Sequence, residues 1–382
     1  MDIMSLKENL SNKILNRSSS YNHYKNNNLE LNERINDCQE RIDCLNQQLD
    51  IKTSQNGFLL NQLMKNEEGF IFSVIMPIYN SEMYLKEAID SIINQDFLFD
   101  KVQVILIDDG STDGSAEICR QYCEKYPNIV YAYQENQGQA NARNNGIGIA
   151  KGKYLNFLDS DDKLEKDTFK EIYYHFLKFG DEIDVITISR YNFGKVSKPL
   201  ILSEKYTPNR IVDIEREYDF PQVSISASFI KRDALCGKFN TQLIVSEDSL
   251  LLNKTILNKG KFGVIDNVKY LYRKREESNS TIDTKKTKKE YFCLRMNLYF
   301  KELINFSIER YGHVPKYIQT VLVYDLRWLF SEKTEIGVLS EQEMETYYGH
   351  IYDVLQYVDE DIILAMDFKD SLKNEMIDFK NR

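Results

Sequence analysis

The 382-residue chain is narrowed first by what it lacks. Its 4 histidines are scattered, so neither a histidine metal cluster nor a Ser-His or Cys-His catalytic pair has support. The 6 cysteines, Cys38, Cys44, Cys119, Cys123, Cys236 and Cys293, include no Cys-x-x-Cys pair. Cys119 and Cys123 stand at helical i,i+4 spacing with no second ligand pair nearby, which argues against zinc. Such thiols suit the reduced state of a cytoplasmic protein. A basic excess is missing too: 49 Lys and Arg against 59 Asp and Glu give a formal net charge of −10. That excludes a nucleic-acid binder, which needs a basic face. No run approaches the ~20 apolar residues that span a bilayer, and the N-terminus lacks the apolar core of a secretion signal. What is plentiful is tyrosine and phenylalanine, at 25 and 20, which suit packed cores and stacking on sugars or bases.

The first 65 or so residues are rich in Asn, Gln, Glu, Lys and Ser. Residues 1–28, with Ser18-Ser19-Ser20 and Asn26-Asn27-Asn28, read as weakly ordered. From Leu31 the apolar positions run Leu31, Ile35, Cys38, Ile42, Leu45, Leu49, and Leu59 and Leu63 resume the phase. Alternating four-three spacing is the 3.5 period of a coiled-coil seam. Residues 29–66 therefore predict a helix that makes a homo-oligomer, with an amphipathic helix lying on the main domain as the alternative.

From Phe70 the pattern changes to alternating strands and helices. Strands are predicted at 72–78, 102–107, 129–133 and 154–158, and later at 184–188, 223–230, 262–265 and 270–272. Helices are predicted after Asn80 or Ser81, which can cap the first, and over 115–126, 137–150 and 163–179. This alternation implies βαβ units and a parallel sheet. Right-handed crossovers then bring the strand ends Tyr79, Asp109 and Asp159 to one edge. Residues 285–382 read as a helical appendix. Its start, Lys285, Lys286, Lys288 and Lys289, reads as a solvated helix start or as a peripheral contact with acidic lipid on the inner face of a membrane.

The organising stretch is Tyr154-Leu155-Asn156-Phe157-Leu158-Asp159-Ser160-Asp161-Asp162, a short apolar strand ending in three acids. Carboxylates at the carboxyl end of such a strand lie where open α/β sheets bind ligands. Crowded acids call for a cation, and Mg²⁺ takes one or two protein carboxylates together with water and phosphate oxygens. A solvated acidic turn capping the next helix is the plainer reading of this stretch alone. Three further segments accompany it: Ser73-Val74-Ile75-Met76-Pro77-Ile78-Tyr79-Asn80, Ile107-Asp108-Asp109-Gly110-Ser111-Thr112-Asp113, and Asn136-Gln137-Gly138-Gln139-Ala140-Asn141-Ala142-Arg143-Asn144-Asn145-Gly146. Ser246-Glu247-Asp248 follows downstream. In this order the segments resemble the family 2 inverting glycosyltransferases with the GT-A fold, over residues 70 to about 280.

The resemblance implies a Rossmann-like mixed sheet flanked by helices over 70–284, with a nucleotide-sugar donor, a UDP-sugar in the first instance. Pro77 and Tyr79 would line the base pocket, and Asp109 would accept a hydrogen bond from the base, while Asp108 holds the Gly-Ser turn. Arg143 would face the diphosphate or order a strand-end acid. Asp159 and Asp161 match the family's Asp-x-Asp motif with Ser160 between them. Asp161 is then the direct ligand of Mg²⁺ or Mn²⁺, Asp159 lies nearer the ribose or the metal's waters, and Asp162 caps the next helix. Asp248 holds the place of the catalytic base; without the upstream motifs, Glu247-Asp248 reads as an acidic first helical turn. Arg273 or Arg275, with Ser278 or Ser280, would close over the diphosphate, unless that stretch is a solvated linker. Gly138 and Gly146 read as close-packing positions.

The implied function is transfer of a sugar to a glycan, lipid-linked or polyol acceptor in surface polysaccharide or wall polymer synthesis. Two alternatives stand beside it. A nucleotidyltransferase would carry a Gly-rich basic loop after the first strand, where this chain has Tyr79-Asn80-Ser81-Glu82. A catalytically inactive scaffold on the same fold would not need Asp109, Asp159, Asp161 and Asp248 intact.

Overall fold

The computed structural model describes residues 59–200, 202–275, 288–331 and 338–382. The chain divides into two compact units, Met1–Asn66 and Glu67–Arg382. Of the first, residues 59–66 are helical. The weakly ordered reading of 1–28 and most of the 29–66 coiled-coil reading fall outside the described residues.

The second unit is built on one ten-stranded sheet. Its strands are β1 (Phe72–Ile78), β2 (Val102–Asp109), β3 (Ile129–Gln134), β4 (Tyr154–Phe157), β5 (Lys163–Leu164), β6 (Val185–Gly194), β7 (Lys198–Pro199), β8 (Arg210–Asp213), β9 (Ser228–Lys231) and β10 (Lys261–Lys274). They lie in the order β3-β2-β1-β4-β9-β6-β10-β5, with β7 on β6 and β8 on β10. β1 runs parallel to β2 and β4, and β2 parallel to β3. β9 is antiparallel to both neighbours, so the sheet is mixed. Every residue of β1 is buried, as a central strand covered on both faces should be. The helix α1 (Glu82–Ile93) covers one face with Leu85, Ala88, Ile89 and Ile92, which recur at three-four spacing. The helices α2 (Ser115–Lys125) and α3 (Gln139–Ile149) complete the βαβ units. Gly146 in α3 has the close-packing role expected of it, since a Cβ there would meet Ile75 Cγ2 at 2.3 Å. Gly138 does not: nothing lies within 4 Å, and the need for glycine is its φ of +90°.

Several boundaries differ from the predicted ones, each for a local reason. The helix expected from Lys163 begins only at Thr168, as α4 (Thr168–Phe179), because Lys163 and Leu164 pair with β10. The two short strands expected at 262–265 and 270–272 are one strand, β10, with a register shift between Ile265 and Lys269. Asp266 and Asn267 sit in that irregularity and interrupt the apolar alternation. Of the predicted 223–230 strand only residues 228–230 join the ladder, in a strand that runs on to Lys231. Asn156 pins the preceding loop instead, donating to the carbonyls of Ser226 (3.0 Å) and Ser228 (2.9 Å).

After α5 (Glu247–Lys259) and β10, the elements among the described residues are helical: α6 (Lys289–Arg295), a π-helical segment Met296–Lys301, α7 (Glu302–Tyr311), α8 (Lys316–Ser331), α9 (Glu341–Leu355), α10 (Glu360–Ala365) and α11 (Asp370–Lys380). These helices are no separate appendix. Phe292, Met296, Tyr317, Leu322 and Ile351 share one buried cluster with Leu251, Phe157 and Ile75. Lys289 at their start is used in a bond to Glu343 at 2.9 Å.

Candidate functional site

The parallel registers of β1, β2 and β4 bring Tyr79, Asp109 and Asp159 to one edge, as the strand order requires. Tyr79 stands 53% exposed, its ring open for stacking. Pro77 is buried inside β1 opposite Ile107, so of the two residues expected at the base pocket only Tyr79 presents a surface. Asp108 is structural, accepting from the Ser111 N–H (2.8 Å) and the Tyr131 hydroxyl (3.0 Å). Asp109 accepts from the Gln134 side chain (2.7 Å) and the N–H groups of Gln137 (2.8 Å) and Gly138 (2.9 Å). It therefore organises the loop that leads into α3. A carboxylate has about four lone-pair sites, so one more donor can still be taken.

The three acids after β4 have three different surroundings. Asp159 accepts from Arg143 (2.9 Å), Gln139 (2.9 Å) and the Ser226 hydroxyl (3.2 Å). Asp161 is gripped by Arg275, from Nε at 2.8 Å and from the terminal nitrogen at 2.7 Å. Asp162 is buried and accepts from the Tyr270 hydroxyl (2.6 Å) and the Arg273 N–H (2.7 Å). It ties β10 to this turn and caps no helix; the residue before α4 is Asp167. The buried Ser160 pairs its hydroxyl with that of Ser81 at 2.7 Å, joining the ends of β4 and β1. Ser81 accordingly makes no side-chain cap on α1.

Arg273 does not face the acids with its charge. Its guanidinium meets Glu87 and stacks on Tyr84 and Phe193, at 4.7 and 4.4 Å from the ring centres. Only its Nε reaches this turn, donating to the Asp161 carbonyl at 2.6 Å. The cation at Asp161 is Arg275, the other of the two expected. Ser278 and Ser280 lie outside the described residues.

Arg143 joins the halves of the site. Only 3% of its side chain is exposed, and it bonds Asp159 at 2.9 Å and Glu247 at 3.2 Å. Burial opposes its charge, but Asp159, Glu247 and Asp248 together hold its pKa above the usual value. Arg143 thus orders the strand-end acid, one of the two expected roles, which can both hold. Glu247 opens α5, and Asp248 follows it, its Oδ1 accepting from the Ser249 N–H at 2.8 Å. Burial pushes the carboxyls of Asp161, Asp162 and Asp248 up, and the charge of Asp159 adds to each. Asp159 therefore lies in the surroundings of both Asp161 and Asp248, acids 87 positions apart in the chain. Sequence reasoning missed Gln139 and Ser226 as partners of Asp159; Ser226 carries no signal in the chain at all.

A divalent cation fits this donor set. Asp159 and Asp161 offer hard oxygen ligands, and burial leaves Asp161 shifted upward even with Arg275 against it. Among the described residues no group of three or more metal-ligating side chains converges. The protein would supply two acids, with water and phosphate oxygens completing the shell, as Mg²⁺ prefers.

Comparison with known proteins gives a consistent result. A model of glycosyl transferase family 2 matches residues 73–236. The minor teichoic acid biosynthesis protein GgaB of Bacillus subtilis is 38% identical over 304 residues, covering 78% of this chain and 34% of its own length. GgaA of the same organism is 30% identical over 307 residues, covering 78% of this chain and 69% of its own. The chain thus spans about a third of GgaB and two thirds of GgaA. A crystal structure of S. aureus TarS in complex with UDP-GlcNAc superposes with a TM-score of 0.62 at 22% identity, covering 81% of this chain and 89% of that one. At that identity the likeness concerns the fold, which is the GT-A fold.

Proposed function

From the premise that this chain belongs to glycosyl transferase family 2, we propose that it moves a sugar from a UDP-sugar to a hydroxyl of a phosphate-bearing wall polymer. The observation that carries this reading is the gathering of Asp159, Glu247 and Asp248 around buried Arg143, with Asp161 two residues from Asp159. The teichoic acid relatives support the acceptor, and the UDP-GlcNAc complex of TarS supports the donor. No helix among the described residues is long and apolar enough to cross a membrane.

The chain's own residues divide the work. Tyr79 stacks on the base, and Asp109 takes a hydrogen bond from it. Asp159 and Asp161 would hold Mg²⁺ or Mn²⁺, which neutralises charge on the departing diphosphate. Asp248 takes the proton of the acceptor hydroxyl as that oxygen bonds to C1 of the sugar. The bond from C1 to the phosphate oxygen breaks in the same displacement, UDP leaves, and the configuration inverts. Two neighbouring cavities that share Leu202, Pro221 and Tyr324 are lined by Arg190 and Arg327, and also by Asp219 and Asp367; an anionic acceptor would meet the two arginines there. No carboxylate of the described residues makes an ion pair with either arginine, in a chain with an excess of acids.

A panel of nucleotide sugars with Mg²⁺ or Mn²⁺, scored for nucleoside diphosphate release, tests the reading. Release with a UDP-sugar, stimulated by a polyol-phosphate oligomer and lost with chelator or in Asp161→Ala, is the expected result. No release from any sugar nucleotide in the wild type would overturn it. A second expectation concerns acid. The catalytic form of Asp248 is ionised, and burial raises its pKa. The acid limb of kcat at saturating donor therefore lies above the ordinary aspartate range of about 4. A limb at or below that range would contradict the assignment. For stability the sign is opposite: a raised carboxyl pKa favours the fold below it, and that contribution is lost as pH rises through the folded-state value.

A further inference from the structure

The residue before α5, Ser246, is a non-glycine in the left-handed region, at φ +66°. Such conformations are strained and persist only when their surroundings enforce them. The Ser246 side chain does not cap the helix it precedes. Instead its Oγ accepts from Arg295 Nε at 3.0 Å. Arg295 ends α6, is buried, and lies 5.5 to 5.8 Å from the ring centres of Tyr291, Tyr299 and Phe300. Its terminal nitrogen is 3.5 Å from Asp325 Oδ1, on α8. The other oxygen of Asp325 accepts from the Tyr299 hydroxyl. Tyr299 in turn pairs with the Ser249 hydroxyl at 3.0 Å, and the Ser249 N–H donates to Asp248. Two chains of bonds thus run from one buried acid to either flank of Asp248, one to Ser246, two residues before it, and one to Ser249, which follows it.

This polar cluster sits in an otherwise apolar interface that includes Phe292, Met296, Phe300 and Leu303. Apolar side chains of like volume would hold such an interface at least as well as buried ions do. Arg295 and Tyr299 also flank the start of the π-helical segment, an irregularity that recurs at functional sites. Stability alone does not account for this expenditure of buried polar groups.

We propose that Asp325, Arg295 and Tyr299 are positioning residues that fix Asp248 through Ser246 and Ser249, making the C-terminal helices part of the transfer machinery. This rests on the reading of Asp248 as the base. A base displaced by ~1 Å can lose about a hundredfold in rate. In the full chain, Tyr299→Phe and Arg295→Met should lower kcat at least tenfold, with donor KM and UDP affinity unchanged, and Arg295→Lys should recover part of the loss. Tyr347→Phe is the control. Its hydroxyl is buried in the same helical region with no hydrogen-bond partner, so its removal should leave kcat as it is.

Amide exchange over 246–250, read by mass spectrometry, reports on the clamp without activity. It should be faster in Tyr299→Phe than in Tyr347→Phe at equal melting temperature. If Arg295→Met does not fold, Tyr299→Phe carries the test. Unchanged kcat and unchanged exchange in Tyr299→Phe would overturn the proposal, as would a donor KM that rises in step with the loss of kcat. Faster exchange combined with an active Asp248→Asn enzyme would show the clamp to be real and overturn only the base reading.

Discussion

Asp248→Asn should lose about three orders of magnitude in transfer while UDP still binds, since a positioned general base typically supplies 10²–10⁴-fold. The substitution keeps the shape and can still accept from the Ser249 N–H, so the first turn of α5 is preserved. What disappears is the capacity to take a proton from the acceptor hydroxyl. The split between donor binding and turnover is therefore diagnostic. Calorimetric titration with UDP should give an affinity within about twofold of wild type, by the usual insensitivity of ground-state binding to a group that acts in the transition state. Transfer at more than a tenth of the wild-type rate would remove Asp248 from the role.

The second large effect is on stability. Arg143→Met should cost about 3–5 kcal/mol, the range for breaking a buried ion pair by removing one partner. Methionine fills much of the volume and keeps an apolar face toward Phe239, on whose ring the guanidinium lies at 5.3 Å. It leaves Asp159 and Glu247 without their cation and Asp248 without a nearby compensating charge. The Asp248 carboxyl, already raised by burial, would move further up in pKa. The deficit should therefore shrink as pH falls and the orphaned acids take up protons. Adding Glu247→Gln should restore part of the loss. Denaturant melts across pH check this, and a deficit below 1 kcal/mol at neutral pH would show that Arg143 is not the compensating charge.

Much of the sheet was legible because its signals are local. Phe72–Ile78 and Val102–Asp109 are buried throughout and apolar except at Ser73, Gln103 and the two terminal aspartates, and buried parallel strands have no other period to show. The acids of the site were legible because each stands at a strand or helix end. Their partners were not. Gln139 and Ser226 reach Asp159 only through the folded sheet, and nothing near Ser226 marks it. Arg273 and Arg275 are two residues apart on an extended strand and look alike in sequence. Tyr84 lies against both guanidinium groups, whereas Phe193 and Glu87, which meet Arg273, come from distant segments that the sequence does not bring together. The helices after residue 288 were legible as helices but not as walls of the same core, because three-four periodicity says which face is apolar and not what covers it.

The grip of Arg275 on Asp161 bears on how the proposed divalent cation would bind there. A carboxylate resting against a tethered guanidinium does not meet bulk solvent as a bare anion. An incoming cation competes with a partner whose effective concentration is set by the chain rather than by the buffer. Titrated alone, a divalent ion should bind these acids weakly. Delivered together with a diphosphate that gives the displaced guanidinium a new anion, it should bind far better, so occupancy would follow the nucleotide more than the free ion.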